Sequence, residues 1–225
     1  MGAITISRQY GTDGQTIGSR VATDMEYLYV DRSLIEEVAS EAKVPVSEVE
    51  RFDEHPENRV LKLIKTLLTP VDYTDLTEAE QESLDLSRKM SQKRSKKRFG
   101  LHENTYLRLA RKVMKRVADE EDVVLMGRGG QALLAGRSDV LHVRLVAPRL
   151  YRAKTIMKQN HQTSNEALEQ IAKIDSQRKE YLERHYGIDW GRPEHYHLVI
   201  NVGWTRMKTA VRLIVEAAQA QRADA

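Results

Sequence analysis

Short runs of apolar, largely β-branched residues recur at Ala3 to Ser7, Tyr27 to Val30, Val123 to Gly127, Leu141 to Ala147 and Leu198 to Val202, and most lead into helical periodicity. That alternation belongs to a mainly parallel sheet flanked by helices, which sets the expected fold class as α/β. Helical stripes are expected at Ile17, Val21 and Ala22; at Leu34, Ile35, Val38 and Ala39; and at Leu107, Ala110, Val113, Met114 and Val117 within Thr105 to Asp119. Pro148 marks a further helix start, Asn165 to Tyr186 reads as a long charged helix, and Met207 to Ala218 as a closing amphipathic one. Ser47 with Glu50 has capping-box spacing, and Val60 to Leu68 is a compact apolar helix. Residues from about 43 to 100 therefore form a helical excursion between the second and third strands, too long for a simple crossover.

The first strand runs into a turn with glycines at Gly11 and Gly14 and then into a helix, the layout of a loop that cradles phosphate. Such glycines are expected to take positive φ and bring successive N–H groups near an anion, and the helix start adds unsatisfied donors and a positive dipole end. A full P-loop reads G-x-x-x-x-G-K-[ST]. With its second glycine on Gly14, the pattern meets Gln9 at the first glycine, Gln15 at the lysine and Thr16 at the hydroxyl. The cradle is present without its point charge. An ordinary strand-to-helix turn is the plain alternative.

At 225 residues, one sizeable core with an inserted lobe is the economical expectation. The absence of cysteine excludes disulfides and thiolate metal sites, and no apolar run approaches a membrane span of about 18 residues. Without an evident leader peptide, a soluble cytoplasmic protein is the default expectation. Net charge is +3 with 36 Lys+Arg against 33 Asp+Glu, so overall charge says little about partners. Locally, charged residues from Asp72 to Asp85 are all acidic and those from Arg88 to Arg98 all basic. A solvated face or connector is expected there; nucleic-acid binding is poorly supported, because Phe99 is the one aromatic beside the basic run.

Ligands of open α/β sheets sit outside the carboxyl ends of the strands. Asp31 and Arg32 follow the second run, Gly127-Arg128-Gly129-Gly130 the third, Arg149 and Arg152 the fourth, and Asn201 ends the fifth. Several arginines reaching one rim from separate segments suit phosphoryl transfer, which needs in-line positioning and positive charge on the equatorial oxygens. Guanidinium groups bind phosphate bidentately and keep their charge. His185, His195 and His197 cluster with tyrosines, but no zinc-type spacing emerges and no protein-held metal is assigned. Trp190 and Trp204 are expected at the sheet margin.

Tyr-Leu-Tyr-Val-Asp-Arg after the first helix, Val-Val-Leu-Met-Gly-Arg-Gly-Gly at 123 to 130, Ala-Pro-x-x-x-Arg at 147 to 152, Asp-x-x-Arg at 175 to 178 and Tyr-His-Leu-Val-Ile-Asn at 196 to 201 together resemble the cytidylate kinase-like family. That family is related to bacterial cytidylate kinase among the P-loop nucleoside monophosphate kinases. The resemblance implies a three-layer P-loop NTPase-type fold with five parallel strands, forming one domain over 1–225. It implies a helical NMP-binding insertion near 43–100 and an arginine-bearing lid near 152–180. It further implies transfer of the γ-phosphoryl group of ATP, with Mg²⁺, to a nucleoside monophosphate, CMP or dCMP first. Carried over by position, Gly11, Thr12, Asp13, Gly14, Gln15 and Thr16 would hold the donor phosphates, with Thr16 on the nucleotide-bound Mg²⁺. Asp31, Arg32 and Arg128 would face the acceptor, and Arg128, Arg152, Asp175 and Arg178 would be catalytic.

Departures from the pattern keep a second expectation open. Gln15 replaces the lysine, and Arg8, Arg20 or a lid arginine is a candidate substitute, with nothing in the sequence to choose among them. Gly129 stands where an acidic residue follows Gly-Arg, and Thr155 and Ile156 stand where paired arginines are usual, with Lys154 and Lys158 nearby. A nucleotide-binding regulator with little or no kinase activity is the alternative. The oligomeric state is not readable from the sequence.

Overall fold

The computed structural model describes residues 2–31 and 103–224. By contacts the chain divides into two compact units, Met1–Glu36 with Met114–Ala225, and Glu37–Val113. The expected helical excursion, the acidic-then-basic stretch and Arg32 lie outside the described residues.

Five strands form one parallel sheet in the order β2-β3-β1-β4-β5. They are β1 (Ala3–Arg8), β2 (Leu28–Val30), β3 (Val123–Met126), β4 (Val140–Val146) and β5 (Leu198–Asn201). The helices, numbered along the described residues, are α1 (Gly14–Met25), α2 (Glu103–Glu120), α3 (Gly130–Leu133), α4 (Arg149–Asn160), α5 (Ser164–Tyr186) and α6 (Met207–Asp224). Strand β1 lies centrally, with β3 and β2 to one side and β4 and β5 to the other. The crevice where strand order reverses thus opens beside the carboxyl end of β1.

One sheet face carries the main core. Ile4 and Ile6 of β1, Val124 and Met126 of β3 and Leu141, Val143 and Leu145 of β4 pack with Ile17 and Val21 of α1 and with Ala210, Val211 and Ile214 of α6. Burying each such large side chain contributes about 1.5 to 3 kcal/mol, which is why α1 and α6 lie on that face despite polar outer sides.

The opposite face is not uniformly apolar. Thr5, Ser7, His142 and Arg144 are buried there. Thr5 Oγ1 and His142 Nδ1 are 2.7 Å apart, and the His142 ring stacks on His197 at 4.9 Å between centroids. Arg144 lies 4.6 Å over the Trp190 ring and 5.3 Å over that of Tyr196, whose hydroxyl accepts from Arg144 Nη1 at 3.2 Å. Trp190 Nε1 donates to Ser7 Oγ at 2.7 Å. Polar residues on alternate positions of β1 and β4 are thus partnered across the sheet, as burial requires. Trp190 is buried within this group while Trp204 is 84% exposed.

Helices α4 and α5 form a hairpin closed by Ala153, Ile156, Ala167 and Ile171, with Tyr10 packed against them. A capping box starts α5: Thr163 Oγ1 accepts from Glu166 N, and Thr163 N donates to Glu166 Oε2 at 2.8 Å.

Candidate functional site

The loop from β1 to α1 is held almost atom by atom. Gln9 N donates to Leu145 O at 3.0 Å, and Gln9 Oε1 accepts from Ala147 N at 3.0 Å, so the residue at the pattern's first glycine ties the turn to the end of β4. Buried Thr12 closes the turn by donating Oγ1 to Gln9 O at 2.8 Å. Tyr10 is gripped at both ends of its own backbone: its N–H donates to Asp175 Oδ1 at 2.9 Å and its C=O accepts from Arg152 Nη1 at 3.1 Å. The same Arg152 nitrogen pairs with Asp175 Oδ2 at 2.6 Å, and Arg152 Nε donates to Ala147 O at 3.0 Å. Arg178 Nη1 donates to Arg8 O at 2.7 Å.

Gly11 has φ +80, as expected. Gly14 does not take positive φ, contrary to expectation; Asp13 before it does, with φ 52. Gly14 is needed for a different reason, since a Cβ there would approach Arg8 Cγ to 2.8 Å. Asp13 is the N-cap of α1 but makes no side-chain hydrogen bond to the helix; its Oδ1 accepts instead from Gln159 Nε2 at 2.6 Å. The first amides of α1 are therefore not capped by the side chain of their own N-cap residue. Gln15 and Thr16 are exposed on that first turn.

Beyond β3, Gly127, Arg128 and Gly129 take successive left-handed φ of 79, 55 and 78. A Cβ at Gly127 would overlap Arg8 Nη1, and one at Gly129 would overlap the Tyr186 ring. A non-glycine residue in this region is strained and must be held by its surroundings. Tyr186 Oη donates to Arg128 O at 2.9 Å, and the Arg128 guanidinium lies 5.9 Å from the centroid of the Tyr181 ring.

Arg8 closes the group. Its stem passes Gly14 and its tip lies against Gly127, between the start of α1 and the end of β3. Burial, and after it the like charge of Arg178, lower its pKa to about 10; Tyr29 and Asp31 act in the opposite sense and Arg128 in the same one. Burial likewise lowers the pKa of Arg178. Burial and then the Asp31 charge raise that of the Tyr29 hydroxyl.

Arg8 lies against Gly14 and Gly127, bonded through its C=O to Arg178, and close enough to Asp31 and Arg128 for their charges to act on it. The structure keeps Arg152, only 6% exposed, inside the wall of the loop with Asp175. Sequence reasoning named Arg8 only as one candidate among three and missed Gly127 as the surface that seats it; an arginine directly after a buried β1 run was the available signal. Arg20 is exposed on α1. Among the described residues no three His, Cys, Asp or Glu side chains are grouped to hold a metal ion, and no helix is long and apolar enough to cross a membrane.

A central strand feeding a glycine turn and a helix, in a five-stranded parallel sheet, defines a P-loop NTPase-type three-layer fold. The chain belongs to the cytidylate kinase-like family, whose pattern it matches over residues 3–203. An uncharacterized protein from Eubacterium ventriosum shares the fold at a TM-score of 0.65, with 20% identity and coverage of 97% of this chain and 98% of that one. A shikimate kinase from Bacteroides thetaiotaomicron is similar at a TM-score of 0.48 and 13% identity, covering 97% of this chain and 98% of that one. A uronate isomerase from Corynebacterium glutamicum is 34% identical over 93 residues, which are 41% of this chain and 18% of that protein. The chain therefore spans less than a fifth of that relative's length.

Proposed function

We propose that the protein is an ATP-dependent phosphotransferase whose acceptor is a nucleoside monophosphate, CMP or dCMP foremost. One observation supports the reading: Arg8, which ends β1 and lies against Gly14 and Gly127, has its C=O bonded by Arg178 and its charge acted on by Arg178 and Arg128, three arginines from three separate elements. Positive charge concentrated there, with a helix dipole of the same sign, suits a polyphosphate tail.

The residues fit a Mg²⁺-bound triphosphate in kind: glycine and threonine on the turn, first amides that the Asp13 side chain does not cap, and an exposed Thr16 whose hydroxyl would meet the ion. When bound, ATP with Mg²⁺ supplies the transferable phosphoryl group and part of the charge neutralisation. Within the chain, Arg152 and Asp175 fix the peptide of Tyr10, so the turn is held by bonds from outside the loop. Arg178 and Arg128 would carry positive charge to the transferring group and the acceptor phosphate, and Asp31 would accept from the acceptor. The α4–α5 hairpin would serve as the lid and exclude bulk water. Such an enzyme would work in the cytoplasm.

A nucleotide-binding regulator is the second reading, favoured by the neutral, exposed Gln15 at the lysine position. ADP release across nucleoside monophosphates, nucleosides and small hydroxylated metabolites separates the two. Turnover with CMP or dCMP supports the enzyme. ATP binding without turnover on any acceptor supports the regulator.

A further inference from the structure

Arg8 is placed where a cation is costly. It ends β1, its stem crosses the first residue of α1, and its tip rests on Gly127, so its charge sits beside the positive end of a helix. Of the charged groups it feels most strongly, Arg178 and Arg128 share its sign and Asp31 opposes it. Among the described residues its guanidinium makes no hydrogen bond or ion pair, although its own C=O is bonded by Arg178. Arg8 is partly buried, and a charge drawn from water is ordinarily paired, because desolvation otherwise makes it expensive. The like charges and the helix dipole that disfavour Arg8 by itself would each attract an anion placed beside it.

The surrounding chain preserves this placement. Gly127 leaves room for the guanidinium, and Gly14 leaves room for the stem. A P-loop lysine would reach down from position 15 on the helix; Arg8 comes to the start of that helix from the strand beneath it.

We propose that Arg8 is the phosphate-binding cation of this cradle, meeting the oxygens of a polyphosphate tail and supplying the charge that Gln15 does not. The proposal rests on the phosphotransferase reading for its biological ligand, but the anion site can be tested apart from turnover. The protein should also be saturable by inorganic tripolyphosphate, which has no base and no acceptor.

The test is calorimetric titration of the full chain with tripolyphosphate, together with thermal melts, for wild type, R8Q, R8K and R20Q. Wild type should bind and melt higher with ligand. R8Q should bind about 10- to 100-fold more weakly, the range for losing a hydrogen bond to a charged group. R8K should keep part of the affinity, and R20Q all of it. Without ligand, R8Q should melt no lower than wild type, since it removes an uncompensated charge. Failure of wild type to bind, equal affinity in R8Q, or a ligand-free R8Q melting several degrees lower would each overturn the proposal, the last by making Arg8 structural. Arg8-dependent binding with no ADP formed on any acceptor would keep the site and overturn only the phosphotransferase reading.

Discussion

The Asp175 carboxylate accepts the backbone N–H of Tyr10 at 2.9 Å, joining the middle of α5 to the turn after β1 across 165 positions of chain. The contact gives the cradle a wall that is not made of the loop itself. The other carboxylate oxygen holds Arg152, which returns to the Tyr10 carbonyl, so both halves of the brace meet on one residue.

Removing one member of this brace leaves the other buried and uncompensated. D175A should cost about 3 to 5 kcal/mol, or about 2 to 4 °C in Tm for each kcal/mol in a chain of this size. D175N should cost less, because its side-chain oxygen can still accept from Tyr10. Thermal melts of the two variants read the difference, and D175N melting with wild type would count against a charged brace.

Arg178 spends one nitrogen on the Arg8 carbonyl and has its charge beside Arg8. R178A should keep its far-UV circular dichroism and lose turnover by about 10³-fold, the lower range for an arginine that meets a transferring phosphoryl group. R178K should recover little, since an ammonium cannot reproduce the planar fork. Steady-state rates with saturating MgATP and CMP test this, with the loss expected mainly in kcat.

Two glycines with nearly the same φ should behave differently. Gly136 has φ +80 and open space around it, whereas a Cβ on Gly127, with φ +79, would displace Arg8. G136A should cost about 1 to 2 kcal/mol through conformation alone and leave activity intact. G127A should carry that cost and abolish most activity, as measured by melts and ADP release on the same preparations.

His142 gives the stability a pH slope. Burial, and then the charge of His197, lower its pKa from 6.5 to about 4. The unfolded chain therefore binds a proton that the folded chain does not between those values, and stability falls as pH drops from about 6.5 towards 4. Above that window the contribution is fully present. Urea unfolding at stepped pH should show the slope in wild type and lose up to one proton's worth of it in H142N.

The architecture was legible because its signals are local. The strands expected at Tyr27 to Val30 and Val123 to Gly127 are Leu28–Val30 and Val123–Met126, each one residue shorter. The helix expected from Asn165 to Tyr186 is Ser164–Tyr186, one residue longer at a capping box. The site was less legible because its contacts are distant in sequence. Nothing near Arg152 shows that its guanidinium serves the Tyr10 carbonyl 142 positions away. Nor does the Gly14 position reveal that Asp13 takes the left-handed conformation while Gly14 merely makes room. Arg144 offered a usable hint, as a charge between Val143 and Leu145 in a buried strand, and its cover is the Trp190 and Tyr196 pair.

Transfer of label from γ-radiolabelled ATP to CMP by the full chain, in the presence of Mg²⁺, tests the central claim most directly. The account predicts labelled CDP in wild type and a large loss of it in R178A. Label that stays in ATP, or that appears only as inorganic phosphate with every acceptor offered, would contradict it.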